Sequence, residues 1–162
     1  MEIRNFSEVD FDKVCAIYKQ GIETGLATFQ NEIPAWHDWD KSHLEACRLA
    51  IFEGVQMVGW AALTPVSSRC VYAGVAEVSI YIDNEFRGKG YGKVLLNELA
   101  NQSEREGFWT LQSGIFAENI ASIKLHESCG FRQIGYREKI GIKDGVWKDN
   151  VLMERRSKVI GL

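Results

Sequence analysis

A chain of 162 residues and 18.4 kDa, 46% hydrophobic and 25% charged, has the length and balance of one globular domain with a sizeable core. A net charge of −3 and a pI of about 5.7 leave no basic footprint for nucleic acid or an anionic membrane surface. No apolar run approaches bilayer length, the start is charged throughout, and four scattered cysteines lack CxxC or zinc spacing, so the reading is a cytoplasmic protein with reduced, packed thiols and no metal.

No repeat, low-complexity tract or linker divides residues 1–162, which read as a single domain. "EIRNF" reads as a starting strand. Asp10 is positioned to cap a helix whose Phe11, Val14, Ile17 and Tyr18 share one face. "ETGLATFQNEIP" reads as a loop, and "AWHDWDKSHLEA" as a second helix with solvated His37 and His43. "RLAIFEG" and "VQMVGWAAL" form two strands turning at Glu53-Gly54, the second ended by Pro65. "VYAGVAEVSIYID" is a strand rich in β-branched and aromatic residues. A helix follows a glycine-rich loop and ends at Gly107, then "FWTLQSGIF" is a strand. "ENIASIKLHESCG" is a helix between Asn119 and Gly130. "FRQIGYREKIGI" and "VWKDNVLME" pair around Asp144-Gly145, and the tail frays from Arg155. This order predicts an α/β (α+β) domain, a mixed sheet covered by helices.

The loop "EFRGKGYGK" between strand and helix carries the strongest chemical signal. Gly88, Gly90 and Gly92 alternate with Lys89 and Tyr91, between Arg87 and Lys93. Glycines leading into a helix allow positive φ and close approach, leaving N–H groups aimed at an anion such as phosphate. The dinucleotide fingerprint fails because Lys93 stands where its third glycine belongs, and a P-loop fails because Val94 follows Gly92-Lys93.

What fits is R-x-x-G-x-G, read as Arg87, Gly90 and Gly92. It resembles the pyrophosphate loop of the GNAT N-acetyltransferases, which hold acetyl-CoA. "FAENIASIKLHESCGF" is similar to that family's second signature, with Asn119, Gly130 and Phe131 matching. His126 stands where the wider family has tyrosine. In that respect, and in "IETGLATFQNE", "TPVSSRCVYAGVAEVSIYI" and "IGIKDGVWKD", the chain resembles the phosphinothricin and methionine sulfoximine or sulfone branch over nearly its whole length. The resemblance implies a GNAT fold: a mixed, mostly antiparallel sheet with helices on both faces, and acetyl-CoA between splayed strands. It also implies a homodimer.

Acetyl transfer to an amine requires holding the thioester, deprotonating the amine, stabilising an oxyanion and releasing a thiolate. The resemblance places the pyrophosphate at Arg87 to Lys93. It lays the pantetheine arm along Ile80, Tyr81 and Ile82 as an added strand, where a backbone N–H near Ile80 can serve the oxyanion. Asn119, Ser122 and His126, three and four apart, share one helix face that can line the groove, leaving Ile120 and Ile123 to the core. The resemblance makes Glu77, the one acid in an apolar strand, the base, directly or through water; by the residues alone it reads equally as a solvent-facing glutamate. His126 is the expected acid for the thiolate, or a substrate contact. Arg69 suits an acceptor carboxylate. Thr28, Phe29 and Tyr72 match substrate positions of the branch, and Lys143 and Trp147 can close the pocket. The reading is an acetyl-CoA-dependent N-acetyltransferase acting on a small amino-acid-like amine in a ternary complex. Another amine or a non-catalytic CoA-binding module is the alternative.

Overall fold

Apolar side chains run without a break through Met57–Leu63, interrupted only by Gly59, which marks that strand as buried on both faces. In a computed structural model describing residues 1–162, this run is the third strand of a seven-stranded sheet. The strands are β1 (Glu2–Asn5), β2 (Leu49–Glu53), β3 (Gln56–Pro65), β4 (Val75–Ile82), β5 (Thr110–Phe116), β6 (Arg132–Lys143) and β7 (Val146–Arg156), in the order β1-β2-β3-β4-β5-β7-β6. Every neighbouring pair is antiparallel except β4 and β5. The β2–β3 register skips Val58, a bulge that shifts the phase of β3. Beyond it Trp60 and Ala62 serve one core while Ala61 and Leu63 serve the other.

One core is aliphatic and lies under α3 (Tyr91–Arg105), which buries Leu95, Leu96 and Leu99. The short α4 (Ile120–Ser128) adds Ile123 and Leu125 to the same side. The other core is aromatic. Phe11, Val14 and Ile17 of α1 (Phe11–Glu23) meet Trp39 of α2 (Trp36–Ser42) and Trp60 of β3 there. Offset and edge-on rings at 5.1–6.2 Å tie Phe6, Phe11, Trp36, Trp39 and Trp60 together. Helices therefore cover both faces, as expected.

The punctuation read from the sequence holds. Gly107 and Gly130 follow α3 and α4 with φ of +90° and +85°, and Asp144-Gly145 turns the last hairpin with φ of +50° and +79°. Asp10 does stand at the start of α1. Its carboxylate, however, turns back to accept from Ser7 N–H and the Arg4 guanidinium, which holds it below the usual range.

Four expectations are corrected. The α2 helix stops at Ser42 because the chain turns to pair Leu44 N–H with Leu63 O at 2.8 Å. Strand β4 begins at Val75, since Cys70–Tyr72 closes into a single helical turn on Arg69 O. Cys70 is exposed on that turn, unlike the buried Cys47 and Cys129. The tail does not fray at Arg155: β7 continues to Arg156, whose guanidinium donates to Ser157 O and Ile160 O.

Gly59 faces Ile82 across the β3–β4 ladder, where an added Cβ would come within 3.0 Å of Tyr81 O and overlap Ile82. Gly59→Ala should lower unfolding stability by about 1–3 kcal/mol. Urea titration monitored by circular dichroism measures this directly.

Candidate active site

Strand β4 keeps its β3 partner from Ala76 to Ile82, but it pairs with β5 only through Val75–Glu77 against Thr110–Gln112. Beyond that point β5 follows β7 as far as Phe116 opposite Asn150. The two parallel strands therefore part after Glu77, and Val78 to Ile82 present one backbone edge to no strand. Unpaired strand N–H and C=O groups accept an added strand or an amide-bearing chain.

The opening is a cavity of about 300 Å³ lined by Glu77, Ser79 and Tyr81 of β4, by Ser113 to Phe116 of β5, and by Asn119, Ser122 and His126. Thr28 and Phe29 close it from the α1–α2 loop. Ten of the expected site positions thus meet or adjoin here: Glu77, Ile80, Tyr81, Ile82, Asn119, Ser122, His126, Thr28, Phe29 and, at the strand's end, Arg87, whose Nε donates to Ile82 O at 3.3 Å. Glu77 is half-buried and accepts from Gln112 Nε2 at 3.4 Å, its cross-strand neighbour.

The glycine loop lies directly after this edge. Gly88 and Gly90 take φ of +73° and +89°, and added Cβ atoms there would point into open space. Gly90 is the N-cap of α3, and no side chain caps the helix. The first N–H to close on an intrahelical carbonyl is that of Val94, on Gly90 O at 3.2 Å. Gly92 serves a different purpose: it brings α3 against Leu125 of α4, 3.2 Å from a would-be Cβ. Lys89 lies over the Phe86 ring. The Tyr91 side chain is buried in the core and donates to Glu53, so only its main-chain N–H is left for a ligand.

On α4, the Asn119 carboxamide caps the helix by accepting Ser122 N–H at 3.2 Å and donates to Leu26 O at 3.1 Å. His126 is buried, and its Nδ1 donates to Ser122 O at 2.8 Å. That bond leaves Nε2 as the acceptor, buried and without a partner. Burial also pushes the imidazole below its usual pKa, against the milder pull of Ser122 O. The bond to Ser122 O orients the ring so that Nε2 is the nitrogen left without a protein partner. Ile120 of the same helix is exposed rather than in the core.

Sequence reading missed Asn150. Its Oδ1 is also buried without a partner, and the residue lines the same cavity. Arg69 and Tyr72 line neither this cavity nor its neighbour. Both are exposed on the turn before β4, the guanidinium 5.4 Å over the phenol ring. Trp147 is exposed as well. Lys143 is buried and spent on the cavity's wall, where Nζ donates to Gln30 O at 2.6 Å and to Asn31. His43 is not solvated: it stacks on Trp39 at 3.9 Å and bonds Trp39 O, and burial lowers its pKa.

Residues 14–131 match the family described as "Acetyltransferase (GNAT) family". The chain belongs to the GNAT acetyltransferase family. A phosphinothricin N-acetyltransferase of Alcaligenes faecalis is 31% identical to this acetyltransferase over 94% of its chain and 81% of the relative. An L-methionine sulfoximine/L-methionine sulfone acetyltransferase of Pseudomonas aeruginosa is 28% identical, covering 94% of this chain and 92% of that one. A GNAT superfamily phosphinothricin acetyltransferase from Sinorhizobium meliloti, solved in complex with AcCoA, superimposes with a TM-score of 0.85 at 27% identity, covering 96% and 87% of the two chains.

Two imidazoles, His126 buried and His43 half-buried, give the acetyltransferase a pH-dependent stability. His43 and His126 hold protons less readily folded than unfolded, so their contribution is complete above about pH 6.5 and is lost as pH falls below it. Melting temperature should stay level from pH 8 to 7 and drop toward pH 5. His43→Asn, which keeps a donor for Trp39 O, should flatten part of that drop in thermal melts.

Proposed function

We propose that this acetyltransferase transfers the acetyl group of acetyl-CoA to the primary amine of a small amino-acid-like acceptor, with both substrates bound together. One observation carries the reading. Three residues lining the cavity beside the parted strands carry hydrogen-bond acceptors: Glu77 its carboxylate, His126 its Nε2 and Asn150 its Oδ1. Two of them are buried with nothing to accept from, and no Arg or Lys lines the cavity. Such a set calls for a ligand rich in N–H donors, which a primary amine is.

The residues fit the cofactor. Main-chain N–H groups from Gly88 to Lys93, at an uncapped helix start, suit a pyrophosphate, with Arg87, Lys89 and Lys93 adding charge. The open edge at Ile80, Tyr81 and Ile82 suits the amides of the pantetheine arm. Bound there, acetyl-CoA supplies the activated acetyl group.

The chain's own groups then divide the work. Glu77 takes the amine's proton, directly or through one water, because an ammonium has no lone pair to attack with. His126 Nε2 and Asn150 Oδ1 accept the remaining N–H bonds and aim the nitrogen. Thr28 and Phe29 exclude water above it. Asn119 and Ser122 hold α4 and His126 in register with the α1–α2 loop. No thiol lines the cavity, consistent with direct transfer rather than a covalent acetyl-enzyme.

The acceptor class follows the relatives: phosphinothricin, methionine sulfoximine and methionine sulfone. The acetyltransferase works as a homodimer in a reducing cytoplasm. Ile134, Tyr136, Ile140 and Ile142 leave the sheet's β6 edge apolar and half-exposed, which suits a second copy, and its cysteines are free thiols.

Thiol release from acetyl-CoA on adding methionine sulfone or phosphinothricin tests the reading. Glu77→Gln should lower kcat/KM by about 10²–10⁴-fold while leaving the Kd for CoA unchanged. CoA binding with no turnover of any amine would contradict it.

A further inference from the structure

Arg87 to Gly90 are exposed, and Cβ atoms added at Gly88 and Gly90 would meet nothing within 4 Å. A glycine segment in open space gives up much backbone freedom on binding an anion, unless neighbouring structure has already set its course. Anchors within the segment are few. Arg87 Nε donates to Ile82 O at 3.3 Å, and Lys89 lies 4.9 Å over the Phe86 ring. The course of the loop is therefore set at its two ends.

Tyr91 holds the exit. Its ring meets Phe86 edge-on at 5.7 Å, closing the segment at its base, and its hydroxyl donates to Glu53 at the end of β2. The entry is held from far away in sequence. After Ile82 the chain makes a single helical turn, Asn84–Phe86, capped by Asp83 Oδ1, which accepts Glu85 N–H at 3.0 Å. Gln20 of α1 grips the start of this turn twice. Its Nε2 donates to Asp83 Oδ2 at 3.0 Å, and its Oε1 accepts Asn84 N–H at 2.8 Å. Both polar ends of one half-buried carboxamide are thus spent on the two residues that turn the chain from β4 toward the loop. Glutamate would have no proton for Asp83. Gln20 lines neither the cavity beside the parted strands nor its neighbour, so it acts only through that turn.

We propose that Gln20 is a positioning residue for acetyl-CoA. It fixes the entry of the glycine loop so that the main-chain N–H groups from Gly88 to Lys93 stand ready for the pyrophosphate, and Tyr91 fixes the exit. The inference rests on that loop being the pyrophosphate seat. The effect is confined to ligands that carry a pyrophosphate. Pantetheine, which has none, lies only along the open edge of β4, and the pairing of β4 with β3 does not involve Gln20.

Calorimetry with CoA and with pantetheine tests this. The wild-type chain should bind CoA far more tightly than pantetheine. Gln20→Met, nearly isosteric and without hydrogen bonds, should weaken CoA about three- to tenfold and leave pantetheine unchanged. With any amine that the wild-type chain turns over, KM for acetyl-CoA should rise by the same factor at constant kcat. Gln20→Glu keeps the acceptor for Asn84 N–H but sets a carboxylate against Asp83, and should weaken CoA at least as much. Tyr91→Phe, which keeps the ring, should show the same selective loss. Equal losses for CoA and pantetheine in Gln20→Met, or no loss for CoA, overturn the positioning role and leave the pyrophosphate seat standing. A wild-type chain that binds CoA no better than pantetheine removes the seat, and the proposal with it.

Discussion

The parting of β4 from β5 after the Glu77–Gln112 pair is the constraint on which the rest of the structure depends. A parallel pair that continued to Ile82 would satisfy every backbone group and leave no opening. Because β5 follows β7 instead, one edge of β4 is left open beside two buried acceptors. The sheet can bear this, since β3 holds the other edge of β4 over its full length and two separate cores clamp the strand from both faces.

Around the opening, side chains expected to touch ligands are largely occupied in holding walls. Asn119 spans from α4 to the Leu26 carbonyl, and Lys143 reaches from β6 to Gln30 and Asn31. Gly141 lets the Phe29 ring lie flush on β6, and Phe29 packs edge-on against Phe116 at 4.6 Å. The α1–α2 loop is thus fixed from three sides before any ligand arrives. Preorganisation of this kind lowers the entropy cost of binding and keeps reacting groups in line.

Local chemistry made much of this legible. Positive-φ glycines end helices and turn the last hairpin where the sequence places them, and Gly88 and Gly90 of the loop precede α3 as read, while Gly92 already lies in its first turn. Glu77 could be singled out only through the family resemblance, since a lone acid in an apolar strand reads equally as a glutamate on a solvent-facing side. Asn150 was not legible, because its importance comes from sitting opposite Phe116 across the β5–β7 ladder, a register no local pattern encodes. The orientation of the His126 ring depends on one carbonyl a turn earlier, and the face that Trp60 takes depends on a bulge at Val58. Arg69 stands exposed away from both cavities, a position that a loop cation, having no periodicity, does not reveal in the sequence.

Amide hydrogen exchange with and without CoA tests the central claim most directly. The account predicts slowed exchange at Ile80–Ile82 and at Gly88–Val94, with β1 and β2 unaffected. Protection confined to other segments, or absent at a saturating concentration of CoA, would contradict it.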